Sequence, residues 1–467
     1  MLRGTRSLTA IWIVVLIVFF ALRLIRGEAV LNQDELIPLR IAEAMRARGI
    51  LDPNWNFADL GLLKYDSYNF YLYNLLAFFL IKPAQWLGLP PLGALRIANL
   101  LMQLGAMWLA RDALRRLGAD ARTQLFVGAL IAVAPGLVQD AYMARPETLT
   151  YLLVALLIWI LTLEGSLPMR MACGGLVLGA GMAVKVTLAT AGVLAVIPLA
   201  EELGKRGLRD WAICFALLGV GAVFGFAIAA PYALVHPLVY LDGLAHLAAQ
   251  YRDGHPPHSL AVYSFAGQAI WILRYFIELY GPLPLIALLG PLWLRGRKRW
   301  WAFGLGVCWL LLAAYFATQR VFFERNFAHG LLPLLLATAL AVEAVRPSAG
   351  RYLVAAAVLI PMSYWSLQIA IAARSPFGPQ KYESSNNIAV TRRISGLESV
   401  EDLRKSGCDI IAVVEYNDPL TREYVSRLEQ AGFKLIGHYR GRFAALVTST
   451  LQVYLDPGVN YLKCPPP

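Results

Sequence analysis

Charge is scarce in this sequence. Only 15% of its 467 residues are Asp, Glu, Lys or Arg, while 58% are hydrophobic; an ordinary soluble domain is about 25% charged. That balance excludes a water-solvated globule and predicts a polytopic membrane protein. Cysteine is sparse too. Of the five, Cys173, Cys214 and Cys308 lie in apolar runs, where a buried free thiol is expected. Cys408 and Cys464 lie in the polar C-terminal region and could form one disulfide if it faces an oxidising compartment. A phosphate-cradling glycine loop, zinc-type cysteine pairs and a Gly-x-Ser-x-Gly elbow are all missing, which argues against soluble nucleotide chemistry. No repeat of fixed period is visible.

Long apolar runs are what the sequence has instead. Residues 8 to 22, "LTAIWIVVLIVFFAL", sit between Arg3 and Arg6 on one side and Arg23 and Arg26 on the other. Without a clear short core or cleavage site, this reads as a retained first span rather than a signal peptide. Further runs near 93–111, 122–139, 147–163, 170–184, 186–200, 211–230, 276–294, 300–318, 326–344 and 351–373 bring the expected spans to eleven. The runs 170–184 and 186–200 are shorter than the roughly 20 residues of a full span, so tilted or broken helices are expected there.

The run 68–81, "YNFYLYNLLAFFLI", decides the threading, because every later segment inverts if it crosses. With the N-terminus in the cytoplasm and this run re-entrant or interfacial, the linkers Arg111 to Arg122, Lys205 to Arg209, Arg295 to Arg299 and Arg346 to Arg351 all lie inside. The formal charge of +12 is thereby explained by membrane topology, with no nucleic-acid partner. Outside then lie residues 27–92, the turn 140–146, the loop 231–275 and everything after 374. The expected fold is mainly α: a transmembrane helix bundle over residues 1–373 and a small extracytoplasmic α/β domain over 374–467. The latter rests on alternating helical and strand patterning in "VEDLRKSGCDIIAVVEYNDP" and "TREYVSRLEQAGFKLIGHYRGRFAALVT".

Ionisable residues collect at the expected outer boundary. Asp34 and Glu35 follow the first span, ahead of a short amphipathic helix started by Pro38, with Ile37, Ile41 and Met45 on its apolar stripe and Arg40, Glu43 and Arg46 facing water. Such a helix should lie along the membrane surface, with Trp55 and Phe57 at headgroup level. The two acids read either as a helix N-cap or as a base and a second acceptor. Asp140, Arg145 and Glu147 stand at the junction of two spans, and Pro146 with Glu147 is also an ordinary helix start. Lys64, Lys185, Arg320 and Arg325 supply cations on the same side; snorkelling accounts for such residues at span ends, but Lys185 sits mid-run and needs an anionic partner or a polar cavity. Asp253, His255 and His258 share a loop that reads as loop structure, substrate contact or a metal site.

Taken together, Asp34-Glu35 after the first span, "KYDSYNFYLYN" from Lys64, "ARPE" at 144–147, "QYRDGHP" at 250–256 and "ERNFAHGLLPLLLATA" at 324–339 resemble the polyprenyl-phosphate-sugar-dependent membrane glycosyltransferases of the type C fold, such as protein O-mannosyltransferases and the lipid A aminoarabinose transferase. That family's double proline before the tyrosine-rich helix is replaced here by Tyr65, Asp66 and Ser67. The resemblance implies an integral inner-membrane enzyme taking a sugar from a polyprenyl-phosphate donor to a lipid, glycan or protein acceptor, with inversion. It implies Asp34 as general base and Glu35 orienting acceptor or sugar. It further implies Glu147 as support for that acidic cluster, or as its partner in holding a divalent metal, and Lys64 and Arg325, then Lys185 and Arg320, on the lipid phosphate. Tyr65, Asp140, Arg145, His255 and His329 complete the expected substrate contacts. The competing expectation is a transporter or flippase, which would set its charges near the membrane centre.

Overall fold

The computed structural model describes residues 2–24, 33–58, 65–202, 207–253 and 263–374, and beyond these only short pieces between 410 and 455. Every apolar run read from the sequence is helical. In chain order the helices are α1 (Leu2–Arg23), α2 (Leu36–Arg48), α3 (Tyr71–Trp86), α4 (Pro91–Arg116), α5 (Ala121–Val133), α6 (Pro135–Tyr142), α7 (Glu147–Thr162) and α8 (Leu167–Met182). After a 3-10 stretch, Val186–Ala195, come α9 (Val196–Glu201), α10 (Leu208–Ala229), α11 (Pro231–Val235), α12 (Pro237–Asp253), α13 (Phe265–Tyr280), α14 (Leu283–Leu289), α15 (Gly296–Ala317), α16 (Ala328–Glu343) and α17 (Ser348–Arg374).

Among the described residues five helices are long and apolar enough to cross a membrane, seven if the bent pairs α5–α6 and α13–α14 each count as one span, and four shorter apolar helices accompany them. The protein is an integral, multi-pass membrane protein. The run 170–184 ends at Met182 and 186–200 is largely 3-10 helix, so the break expected there is present, at Lys185. Helix α16 forms the axis, its spanning window 94% buried, whereas the windows of α10 and α17 are 22% and 28% buried and face outward. Helices α8 and α10 approach through Gly175, Gly179, Gly221 and Gly225, where an added Cβ would strike the carbonyl oxygens of Leu218, Ala222, Ala172 and Leu176.

Local chemistry sets the helix ends. Asp120 caps α5 by accepting from the Thr123 amide at 2.6 Å, Ser166 and Ser264 cap α8 and α13, and Gly49 closes α2 in the left-handed region. Helix α2 buries Ile37, Ile41 and Met45 and exposes Arg40 and Glu43, as its pattern requires. Arg46 departs from the expectation: it folds over the Phe78 ring and donates to the Phe78 carbonyl at 2.6 Å. Trp55 departs too, buried with its indole N–H donating to Asn69 O at 3.0 Å, because the segment before α3 packs onto α2. Cys214 and Cys308 are buried as expected, but Cys173 is only half-buried.

Three of the basic linkers, 111–122, 295–299 and 346–351, meet at one end of the bundle. There Arg297 pairs with Glu201 and donates to the Arg116 carbonyl, Lys298 pairs with Glu343, and Arg351 pairs with Asp120. In the tail, Ile410–Glu415, Thr450–Leu455 and Lys434–Arg440 form an antiparallel sheet with the Thr450–Leu455 strand central. Cys408 and Cys464 lie outside the described residues.

Candidate functional site

At the end opposite the basic linkers, acids and cations from distant segments interleave. Asp34 lies on a 3-10 turn, Gln33–Glu35, that runs into α2, and its Oδ2 accepts from Arg325 Nη1 at 2.7 Å. Both side chains remain about a quarter exposed. Glu147 opens α7 and its Oε1 accepts from Lys185 Nζ at 2.7 Å, a pair buried almost completely. Lys185 also lies 3.4 Å from the Arg325 carbonyl, so one residue, Arg325, joins the two pairs. Arg145 sits 3.8 Å from Glu147 Oε2 and 3.9 Å from Asp140 Oδ1, and Asp140 accepts from the Tyr151 hydroxyl at 2.8 Å.

Acids and cations alternate here: Asp34 pairs with Arg325, Glu147 with Lys185 and, at longer range, Arg145, and Arg325 links the two pairs through its carbonyl. Glu35 occupies the N-cap position of α2 with no side-chain cap bond. Fully buried Glu35 instead accepts from Arg96 Nη2 with both oxygens at 3.0 Å and from the Ala144 amide at 2.7 Å, fastening the turn to α4 and to the 143–146 segment. Among the described residues no three His, Cys, Asp or Glu gather to hold a metal ion.

Helix α4 supplies the scaffold beneath this chain of charges. Arg96, Asn99 and Gln103 stand on one face of it, all buried. Asn99 accepts from Tyr73 and Thr148 and donates to Met143 O at 2.6 Å; Gln103 accepts from Arg23 at 2.7 Å and donates to Leu137 O at 2.7 Å. None of the three was expected from the sequence. The signal was available, since polar residues at helical spacing inside an apolar run mark an inward polar face. Arg23, read as a topological flank, is buried in the same network and donates to the Ile131 and Ala132 carbonyls.

Aromatic residues border Asp34. The Tyr65 ring lies tilted against His246 of α12, centroids 4.6 Å apart, and against Trp55 at 5.5 Å, and burial, then the Asp34 carboxylate, pushes its phenol up to about 12. Phe70, at φ 60, carries a backbone conformation rare for a residue with a side chain, and its ring lies 5.9 Å from Lys185 Nζ. A crevice of only about 10 Å³, room for about one water, is lined by Arg325, Asp140, Glu324, Tyr151, Tyr275 and Tyr280. His329 is buried on α16, one turn beyond Arg325, and the Arg320 amide donates to Tyr251 O at 3.1 Å, tying the end of α12 to the segment after α15. Neither His329 nor Arg320 joins the ion-pair chain as described. Lys64, His255 and His258 lie outside the described residues.

Among solved structures, the chain is similar to ArnT from Cupriavidus metallidurans bound to undecaprenyl phosphate, with a TM-score of 0.55 at 12% identity over 98% of this chain and 99% of that one. It also matches the arabinofuranosyltransferase AftD from Mycobacteria (TM-score 0.46, 19% identity, 79% of this chain, 27% of that one). A third match is the oligosaccharyltransferase AglB from Archaeoglobus fulgidus (TM-score 0.49, 13% identity, 86% of this chain, 59% of that one). No protein-family model and no curated protein matches. The likeness to ArnT over both full lengths shows the fold: that of the type C glycosyltransferases.

Proposed function

We propose that the protein is a membrane glycosyltransferase that moves a sugar from a polyprenyl-phosphate-linked donor to a lipid, glycan or protein acceptor at the extracytoplasmic face, with inversion. Its carrying observation is the 2.7 Å Asp34–Arg325 pair, partly open to solvent, in a fold shared end to end with a protein crystallised on undecaprenyl phosphate. A carboxylate and a guanidinium side by side are the two groups such a transfer needs. Asp34 takes the proton of the acceptor hydroxyl, whose oxygen attacks the anomeric carbon as the bond from that carbon to the phosphate oxygen breaks. The electron pair leaves on the polyprenyl phosphate, and fixed positive charge at Arg325 lowers the barrier to its departure. The activated donor supplies the driving force, so no nucleotide cofactor enters.

Other residues take roles around this pair. Glu35, with both oxygens engaged, positions the turn that carries Asp34 rather than handling the sugar. Lys185 and Glu147 fix the backbone of Arg325 from beneath. Tyr65 and His246 offer ring faces to a sugar beside Asp34, and Lys64 remains a further cation for the phosphate. The tail after 374 is a separate extracytoplasmic domain in this reading, and the basic end faces the cytoplasm. A transporter would set its charges near the membrane centre, and Asp34, Glu147 and Arg325 stand instead at the starts of α2, α7 and α16, which supports it less well.

The test begins with mass spectrometry of lipids co-purified with the full chain, where a polyprenyl phosphate or its sugar adduct is expected. Using that donor, Asp34→Asn should slow sugar transfer by about 10²–10⁴-fold, the usual weight of a general base. Transfer at the original rate by a folded Asp34→Asn protein removes Asp34 from the mechanism.

A further inference from the structure

Asp34 and Arg325 have a relation that the transfer scheme alone does not explain. A carboxylate bound at 2.7 Å to a guanidinium has an oxygen engaged there instead of with an acceptor hydroxyl, while a guanidinium neutralised by a carboxylate is a poor phosphate ligand. Each group blocks the other's work. The surroundings show which one can move. The Arg325 backbone is pinned, its carbonyl facing Lys185 Nζ, with Glu324 before it accepting from Gln139 at 2.9 Å and Asn326 after it bonded to Tyr251. Its side chain, by contrast, is 24% exposed, rests on the Phe323 ring at 4.6 Å and reaches Asp34 across 291 residues of sequence separation.

We infer that the Asp34–Arg325 pair is an exchangeable latch in which the donor's phosphate displaces the Asp34 carboxylate from Arg325, so that the base is released only when a donor is in place. This rests on the glycosyltransferase reading above. In the exchange no covalent bond forms or breaks and Arg325 keeps its charge; one anion replaces another. Binding is then ordered, donor before acceptor activation. The latch also works in reverse. After transfer Asp34 holds the acceptor's proton and Arg325 holds the product, a phosphate monoester with more negative charge than the donor diester. Loss of that proton to water restores the Asp34 carboxylate, which pairs with Arg325 again once the product, held there more tightly than the donor, has left. Arg325 is thus a positioning residue for the base as well as a phosphate contact.

Titration of undecaprenyl phosphate into the full chain in detergent tests this. Removing the competing carboxylate by Asp34→Asn should tighten binding about two- to fivefold, the scale of a partly exposed ion pair. Asp34→Glu, which keeps the competitor, should bind like the unsubstituted protein. Equal or weaker binding by Asp34→Asn overturns the latch, and if that variant does not fold, Asp34→Ser carries the same expectation. Measuring sugar transfer on the same proteins separates the two ideas. Lost transfer at unchanged affinity overturns the latch and keeps the base; tighter binding at the original transfer rate shows that the carboxylate competes with phosphate but is not the base, which overturns the latch as well. An unsubstituted protein that does not bind undecaprenyl phosphate overturns both.

Discussion

At one end of the bundle Arg297 meets Glu201, Lys298 meets Glu343 and Arg351 meets Asp120, with side-chain exposures from 15% to 44%. At the other end Arg96 meets Glu35 and Lys185 meets Glu147, with exposures from 0% to 9%. The pairs are chemically alike. Water separates them: an exposed pair is screened and contributes about 0–1 kcal/mol, whereas a buried pair must offset a desolvation cost of several kcal/mol per ion. A chain that concentrates the costly kind at one end is holding charge there for a purpose, and the cheap kind serves to close linkers. The Asp34–Arg325 pair belongs to the buried end by position but approaches the other end in exposure, 27% and 24%. That combination marks it as the pair a substrate can reach.

The contrast breaks first at Glu35. Glu35→Ala leaves the Arg96 guanidinium buried without its carboxylate, and thermal unfolding in detergent should show a loss of about 3–5 kcal/mol. Replacing both, as Glu35→Leu with Arg96→Met, should recover most of it. A single-variant loss below 1 kcal/mol would mean that the end described as buried is in fact wet, and the comparison fails.

A smaller effect is expected at Lys185. Lys185→Met removes the 2.7 Å hydrogen bond to Glu147, but Arg145 still stands 3.8 Å from the other oxygen, so Glu147 keeps one cation. The expected loss is about 1.5–3 kcal/mol, the weight of a hydrogen bond to a charged group. Arg145→Met combined with Lys185→Met should cost more than the sum of the two singles, since it strands the carboxylate. Simple additivity would show that Arg145 does not back up Lys185.

How much of this the sequence disclosed follows from the range of each interaction. Apolar runs are local, and each of them is a helix; even the break at Lys185 follows from two runs too short to span. Lys185 needed an anionic partner or a polar cavity, and it has Glu147, but nothing local could single out Glu147 from the other acids. The Asp34–Arg325 pair joins residues 291 apart, and only the folded chain brings them together. Arg96, Asn99 and Gln103 were legible in principle from their spacing, yet an arginine near the start of an apolar helix looks the same as one that snorkels. Trp55 was misread because a tryptophan near a span suits a headgroup belt and a packed segment equally well.

The weakest expected effect belongs to Asp120. Asparagine caps a helix about as well as aspartate, so Asp120→Asn keeps the bond from the Thr123 amide and deletes only the charge facing Arg351. The loss should be about 0.2–1 kcal/mol and should vanish near 1 M salt, where screening acts within about 3 Å. It should also depend on pH. Burial opposes ionisation of Asp120, but the Thr123 amide and the Arg351 guanidinium outweigh it and hold the carboxyl below its ordinary 3.8. With the folded value depressed, the stabilisation is complete above the unfolded value and is lost as pH falls through the folded one. Unfolding temperatures of the two proteins should therefore differ slightly at neutral pH and converge in acid. If Asp120→Asn instead costs as much as Glu35→Ala and ignores salt, the exposed end is no more solvated than the other, and burial does not explain why the two ends differ.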